Sequence, residues 1–218
     1  MPEVQSHGFT FEKWVRDSLF GGYSGNYTQE WDIPPEANSN VRMPAQWRKL
    51  PVSVKAEKFG APIGLGDIRR QRQINTPFLM IVGFWSQRTP SEKWFDDIGL
   101  AYFSVETWNR LWGSLKLEDI DEIDRRIKDK SLSYIEARAE AAAWRKKHVQ
   151  EPDGQKHIVV NPKIDSKSQR RIQCSLPFDA FWQCVGRKPL KLAAPSLLGF
   201  IFENPVKSEP RTFNKGKG

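Results

Sequence analysis

The sequence predicts an α/β (α+β) chain with a central mixed β-sheet flanked by helices, and three stretches carry that prediction. Residues 8–20, GFTFEKWVRDSLF, set Phe11, Val15 and Leu19 at helical spacing. Residues 51–58, PVSVKAEK, alternate apolar and polar side chains with the period of a half-buried strand. Residues 78–85, FLMIVGFW, form the most apolar run of the chain, and their β-branched and aromatic content fits a buried central strand.

In order, the 8–20 helix is capped by Ser6 or Thr10 and stopped by Gly21-Gly22. Tyr27–Ile33 alternates as a strand, with Glu30 and Asp32 on its polar face, and Pro34-Pro35 end it. Residues 35–50, with Arg42, Arg48 and Lys49, read as a polar loop or ragged hairpin able to touch phosphate. Within the 51–58 strand, Ser53, Lys55 and Glu57 share one face, and the glycine-broken stretch 59–66 reads as a loop. A short basic helix over 67–74 follows, giving helix, strand, strand, helix, strand over 8–85.

The second half is more helical. Residues 91–97 and 105–115 read as short helices, and 117–150 as two helices broken near 130–133. Residues 157–161 and 170–176 read as paired strands around a basic turn, followed by a helix over 178–185. The expected organisation is one domain over 1–218. It comprises a core at 8–85, a helical elaboration at 91–150, a strand-turn-strand and helix at 156–205, and a frayed basic tail at 206–218.

No apolar run reaches the roughly 18 residues of a membrane span. The start, MPEVQSHGF, lacks the order of a secretion signal, so a cytoplasmic protein is expected. Cys174 and Cys184 stand without other metal-ligand spacing and read as reduced thiols. His7, His148 and His157 show no partner spacing, and Gly60, Gly64 and Gly66 precede no Gly-Lys-Ser/Thr.

The formal charge is +8. Windows 42–72 and 156–191 each hold eight Lys/Arg against two acids, the footprint of an acidic partner. Two carboxylates, Glu12 and Asp32, precede Lys55 by spacings set on a helix and two strands. Hydrolysis of a phosphodiester uses a divalent cation held by hard oxygens and a group that orients water. Asp32, Glu12 and the Val54 carbonyl are candidate ligands, with Lys55 orienting or deprotonating the water.

An acid on an N-terminal helix, an acid at a strand end (WDIP), and a strand ending in SVK together resemble the PD-(D/E)xK nuclease superfamily, and within it type II restriction endonucleases. The resemblance covers about 8–85 and implies a magnesium-dependent endonuclease that cuts double-stranded DNA at a short sequence as a homodimer. Trp31 stands before Asp32 in place of proline, and Ser53 replaces the acid of the triplet. Restriction endonucleases with such a triplet take a carboxylate from the following helix, which makes Asp67 the first candidate, with Glu57 and Glu30 as competitors. For DNA binding the candidates are Arg69, Arg70, Gln71, Arg72 and Gln73 on the basic helix. On the second basic stretch they are Lys163, Lys167, Gln169, Arg170 and Arg171. Other nucleases of the superfamily, such as junction resolvases and repair or transposition nucleases, and a non-catalytic DNA-binding protein are the alternatives.

Overall fold

Phe11, Val15 and Leu19 are fully buried along one face of α1 (Ser6–Leu19). Gly21 and Gly22 then take positive φ, and the Phe20 and Gly22 amides return to the Arg16 carbonyl, closing the helix as the glycine pair predicts. The computed structural model describes residues 6–25, 30–39, 42–148, 158–166 and 169–207. The chain is mixed α and β and divides into two compact units. The first comprises Met1–Ala61, Phe78–Tyr102 and Val185–Gly218, and the second Pro62–Pro77 and Phe103–Cys184.

The first unit holds a two-stranded ladder of β7 (Ser196–Leu197) and β8 (Phe200–Ile201) and a four-stranded mixed sheet of β1 (Val52–Lys58), β3 (Phe78–Thr89), β4 (Glu92–Phe103) and β9 (Val206–Lys207), in the order β1-β3-β4-β9. β1 and β3 are parallel, with Val54 opposite Ile81 and Ala56 opposite Gly83. A parallel pair needs a crossover, and here it consists of β2 (Ile63–Asp67) and α2 (Ile68–Arg72), which belong to the second unit. Gly83 lets α1 sit on the sheet, since a Cβ there would lie 2.6 Å from the Phe11 ring and 2.7 Å from the Phe95 ring. Those two rings stack at 5.1 Å, and Phe95 meets Phe202 at 4.6 Å.

In the second unit, β2, β6 (Arg170–Leu176) and β5 (Val159–Ile164) form an antiparallel sheet. α4 (Leu117–Lys128) packs on β6, and α5 (Tyr134–His148) packs on β5 and on α4. Ile120, Ile123 and Ile127 of α4 are buried there at the helical spacing read from the sequence, whereas on α5 the buried stripe falls on Ala137, Ala141 and Trp144 and leaves the expected Ile135 and Ala139 exposed. α3 (Val105–Leu111) is capped by Ser104, whose hydroxyl accepts from the Thr107 amide, and α6 (Phe178–Val185) spans the residues expected.

Six expectations are corrected. Residues 30–32 bend, and only Ile33 bridges to Val52, because Pro34-Pro35 halt pairing at once; the earlier part of the Tyr27–Ile33 expectation, 27–29, lies outside the described residues. The 59–66 stretch contains β2, held by its pairing with β6 in spite of its glycines. Residues 92–97 belong to β4 and not to a helix, and its buried Asp96 and Asp97 are neutralised by Arg88 on β3 and by the distant Arg187. Asp97 accepts from Arg187 Nη1 at 2.8 Å and Nη2 at 2.7 Å, and Asp96 accepts from Arg88 at 3.0 Å. The basic helix is only Ile68–Arg72, and the 105–115 helix stops at Leu111. Val206 and Lys207 form β9 by pairing with Glu92 and Lys93, so the tail is ordered at its start; 208–218 lie outside the described residues, as do His157 and Lys167.

Candidate active site

The outer edge of β1 builds this site. Ile33 exchanges both backbone hydrogen bonds with Val52, 3.0 Å and 2.8 Å long. One step along, where a continued strand would offer a carbonyl, the Asp32 carboxylate takes its place. Asp32 Oδ2 accepts from the Val54 amide at 2.7 Å, from Lys55 Nζ at 3.2 Å and from Ser53 Oγ at 3.3 Å. Lys55 Nζ also donates to the Val54 carbonyl at 3.1 Å. All three donors converge on one oxygen, so Oδ1 is left for a further ligand.

Glu12 reaches the same place from α1, held beside the buried stripe by Phe11. Burial and then the nearby Asp32 charge push its carboxyl above the ordinary 4.5, while Arg16 and Lys55 pull the other way. Arg16 is its ion-pair partner one turn along the helix. The structure therefore brings together Glu12, Asp32, Ser53, Val54 and Lys55, with the three charged side chains 24% to 31% exposed. Gly83 is a contributor that periodicity does not reveal, since its role is to let Phe11, and so Glu12, approach the sheet.

Among the described residues no group of three or more His, Cys, Asp or Glu side chains converges on a metal position. The donors that do converge are hard oxygens: the carboxylates of Asp32 and Glu12, the first raising the cost of ionising the second, and one backbone carbonyl. That set suits a magnesium ion that keeps several of its waters.

Asp67 lies in the second unit, and its Oδ1 accepts from the Arg70 amide at 2.9 Å as the N-cap of α2. The signal for this was its place before a helix, where Asp is favoured. Glu57 shares the Lys55 face of β1, and Glu30 is exposed.

The DNA-binding candidates all fall in the second unit, with different commitments. Arg69 pairs with Asp121 at 3.3 Å. Arg72 donates to the Leu115 carbonyl and to Asn109, and lies over Trp112. The Gln71 carbonyl accepts from Trp108 Nε1 at 3.0 Å. Arg170 donates to the carbonyls of Ile127, Asp129 and Leu132, tying down the α4–α5 connection. Arg70, Gln73, Lys163 and Arg171 are exposed. Lys163 and Arg171 are directly opposite on β5 and β6, a like-charge pairing that an anion would relieve. With its amide oriented to satisfy both groups, Gln169 accepts from Arg171 at 3.1 Å.

In the 35–50 loop, Arg42 donates to the Asp17 and Ser18 carbonyls at the end of α1, and Arg48 to the Met43 carbonyl. Both thiols are free, and burial pushes those of Cys174 and Cys184 up. Among the described residues no helix is long and apolar enough to cross a membrane. No protein-family model, curated protein or solved structure matches the chain.

Proposed function

We propose that the chain is a magnesium-dependent endonuclease of the PD-(D/E)xK type, cutting double-stranded DNA in the manner of a type II restriction enzyme. The observation that carries this function is the convergence of Glu12, Asp32 and Lys55 beside the Val54 backbone. Magnesium, when bound, supplies Lewis-acid polarisation of the phosphate and a more acidic water.

Asp32 offers Oδ1 as the central ligand, and Glu12 provides a second carboxylate or holds a ligating water. Lys55, fixed by Asp32 and the Val54 carbonyl, orients the attacking water and offsets charge that builds on the phosphate. The edge amides of β1 keep Asp32 in place throughout. Arg70, Gln73, Lys163 and Arg171 supply the contacts to DNA, and a two-fold dimer would present one such site to each strand.

Incubation with unmodified plasmid and Mg2+ tests the proposal. Discrete fragments are expected; cutting of branched DNA alone would move the protein to the resolvases of the same superfamily. Ser53 in the triplet favours a second function, DNA binding without cutting, which intact plasmid and salt-dependent DNA binding together would support.

A further inference from the structure

A cleft of about 670 Å3 opens in the second unit along one stripe of α5, with Arg138, Arg145 and Lys146 around it and Ala142, Pro162 and Ile164 among the residues that line it. Among the described residues no carboxylate lines it. The acids of α5 are used elsewhere: Glu136 accepts from the Ser133 amide, and Glu140 pairs with Arg126 of α4. On α4, Lys128 pairs with Asp124, and His148 at the end of α5 faces Asp119. Arg145 and Lys146, by contrast, have no ion pair or hydrogen bond among the described residues.

Cations in the last turn of a helix are favoured by its dipole, which accounts for Arg145 and Lys146 on their own. It does not account for Arg138, two turns earlier. That guanidinium is fixed by a 2.9 Å bond from Nε to the Ile164 carbonyl and by the Tyr134 ring at 5.3 Å. One anchored cation and two unpaired ones thus border a concave surface with an apolar floor.

We infer that this cleft binds the sugar–phosphate backbone of double-stranded DNA, the cations meeting successive phosphates and the small apolar residues meeting deoxyribose. The choice of DNA as occupant rests on the proposed nuclease function. The site itself, Arg138, Arg145 and Lys146, lies outside the basic helix and basic strands already considered. Contacts of this kind hold the duplex without reading its sequence.

The test is binding of a labelled mixed-sequence duplex to the full chain without divalent metal, by fluorescence anisotropy across 50–200 mM salt. Neutralising two phosphate contacts contributes roughly 1.8 to the slope of log affinity against log salt. The Arg145→Ala/Lys146→Ala double variant should therefore lose about that much slope and bind on the order of fiftyfold more weakly at 0.1 M. Both side chains are exposed, so the fold should persist, and Arg145→Lys/Lys146→Arg should restore binding.

A double variant with the affinity and slope of the wild type overturns the cleft, as does a wild type that does not bind the duplex. Wild-type binding without Mg2+-dependent cutting overturns the nuclease function alone and leaves the cleft standing. Cutting by a double variant of undiminished affinity does the reverse.

Discussion

The two units handle charge in opposite ways. In the first, opposite charges gather at a sheet edge: Asp32 holds Lys55 and the Val54 amide, and Glu12 is raised by burial beside them. Asp96 and Asp97 are likewise buried against their own arginines. In the second, acids and bases of α4 and α5 pair along the helices, and a remainder of cations stands outward: Lys163, Arg145, Lys146 and Arg171. Desolvated, mutually constrained charges are what a reaction site requires. Exposed cations lacking acidic neighbours are what a polyanion requires. Under the proposed function, this difference would place chemistry in the first unit and DNA holding in the second.

The sharpest way to break that division is Asp32→Ala or Lys55→Ala. Each should lower Mg2+-dependent cleavage on the order of a thousandfold while leaving duplex affinity unchanged, measured on the same preparations. Parallel loss of binding would show that the division is wrong. Gly83→Ala comes next. Its methyl group would meet the Phe11 and Phe95 rings, an overpacking that costs about 1–3 kcal/mol in denaturant unfolding and shifts Glu12 away from Asp32.

Arg170→Ala is the counterpart in the second unit. Losing its bonds to three carbonyls should cost about 1–3 kcal/mol of stability, with little change in the salt slope of DNA binding. A fall in slope without destabilisation would instead make Arg170 a phosphate contact.

The smallest effect on stability concerns Glu12→Gln. Glu12 binds its proton more readily folded than unfolded, because its folded value lies above 4.5. The stability it contributes is complete below that ordinary value and is lost as pH rises through the raised one. At neutral pH the ionised group is therefore a burden, so Glu12→Gln should slightly raise the melting temperature while abolishing cleavage. The gain in stability should vanish near pH 4. In the wild type, cleavage should decline on the acid side at a pH above that of an ordinary glutamate, since the group must ionise to hold a cation.

Local periodicity made α1, the α4–α5 break, the β5–β6 pair and α6 legible, because each buries a regular stripe within its own segment. Strand β4 was not legible: the arginine that clamps its buried Asp97 is 90 residues away. β2 was hidden by glycines whose pairing partner lies on β6. Glu12, Asp32 and Lys55 could be read from residue type and order, yet the reason they meet is an edge amide of β1 and the bare backbone at Gly83. Asp67 caps α2, and its residue type alone does not separate that role from metal ligation. Likewise, arginine composition could not separate Arg72 and Arg170, spent on internal carbonyls, from Arg171 at the surface.

The central claim is that Glu12 and Asp32 hold a divalent cation next to Lys55. Titration with Mn2+, followed by electron paramagnetic resonance of the free aquo ion, measures this directly. Wild-type protein should withdraw Mn2+ from solution, Mg2+ should compete for it, and Asp32→Ala should withdraw none. Equal withdrawal by Asp32→Ala, or none by the wild type, would contradict it.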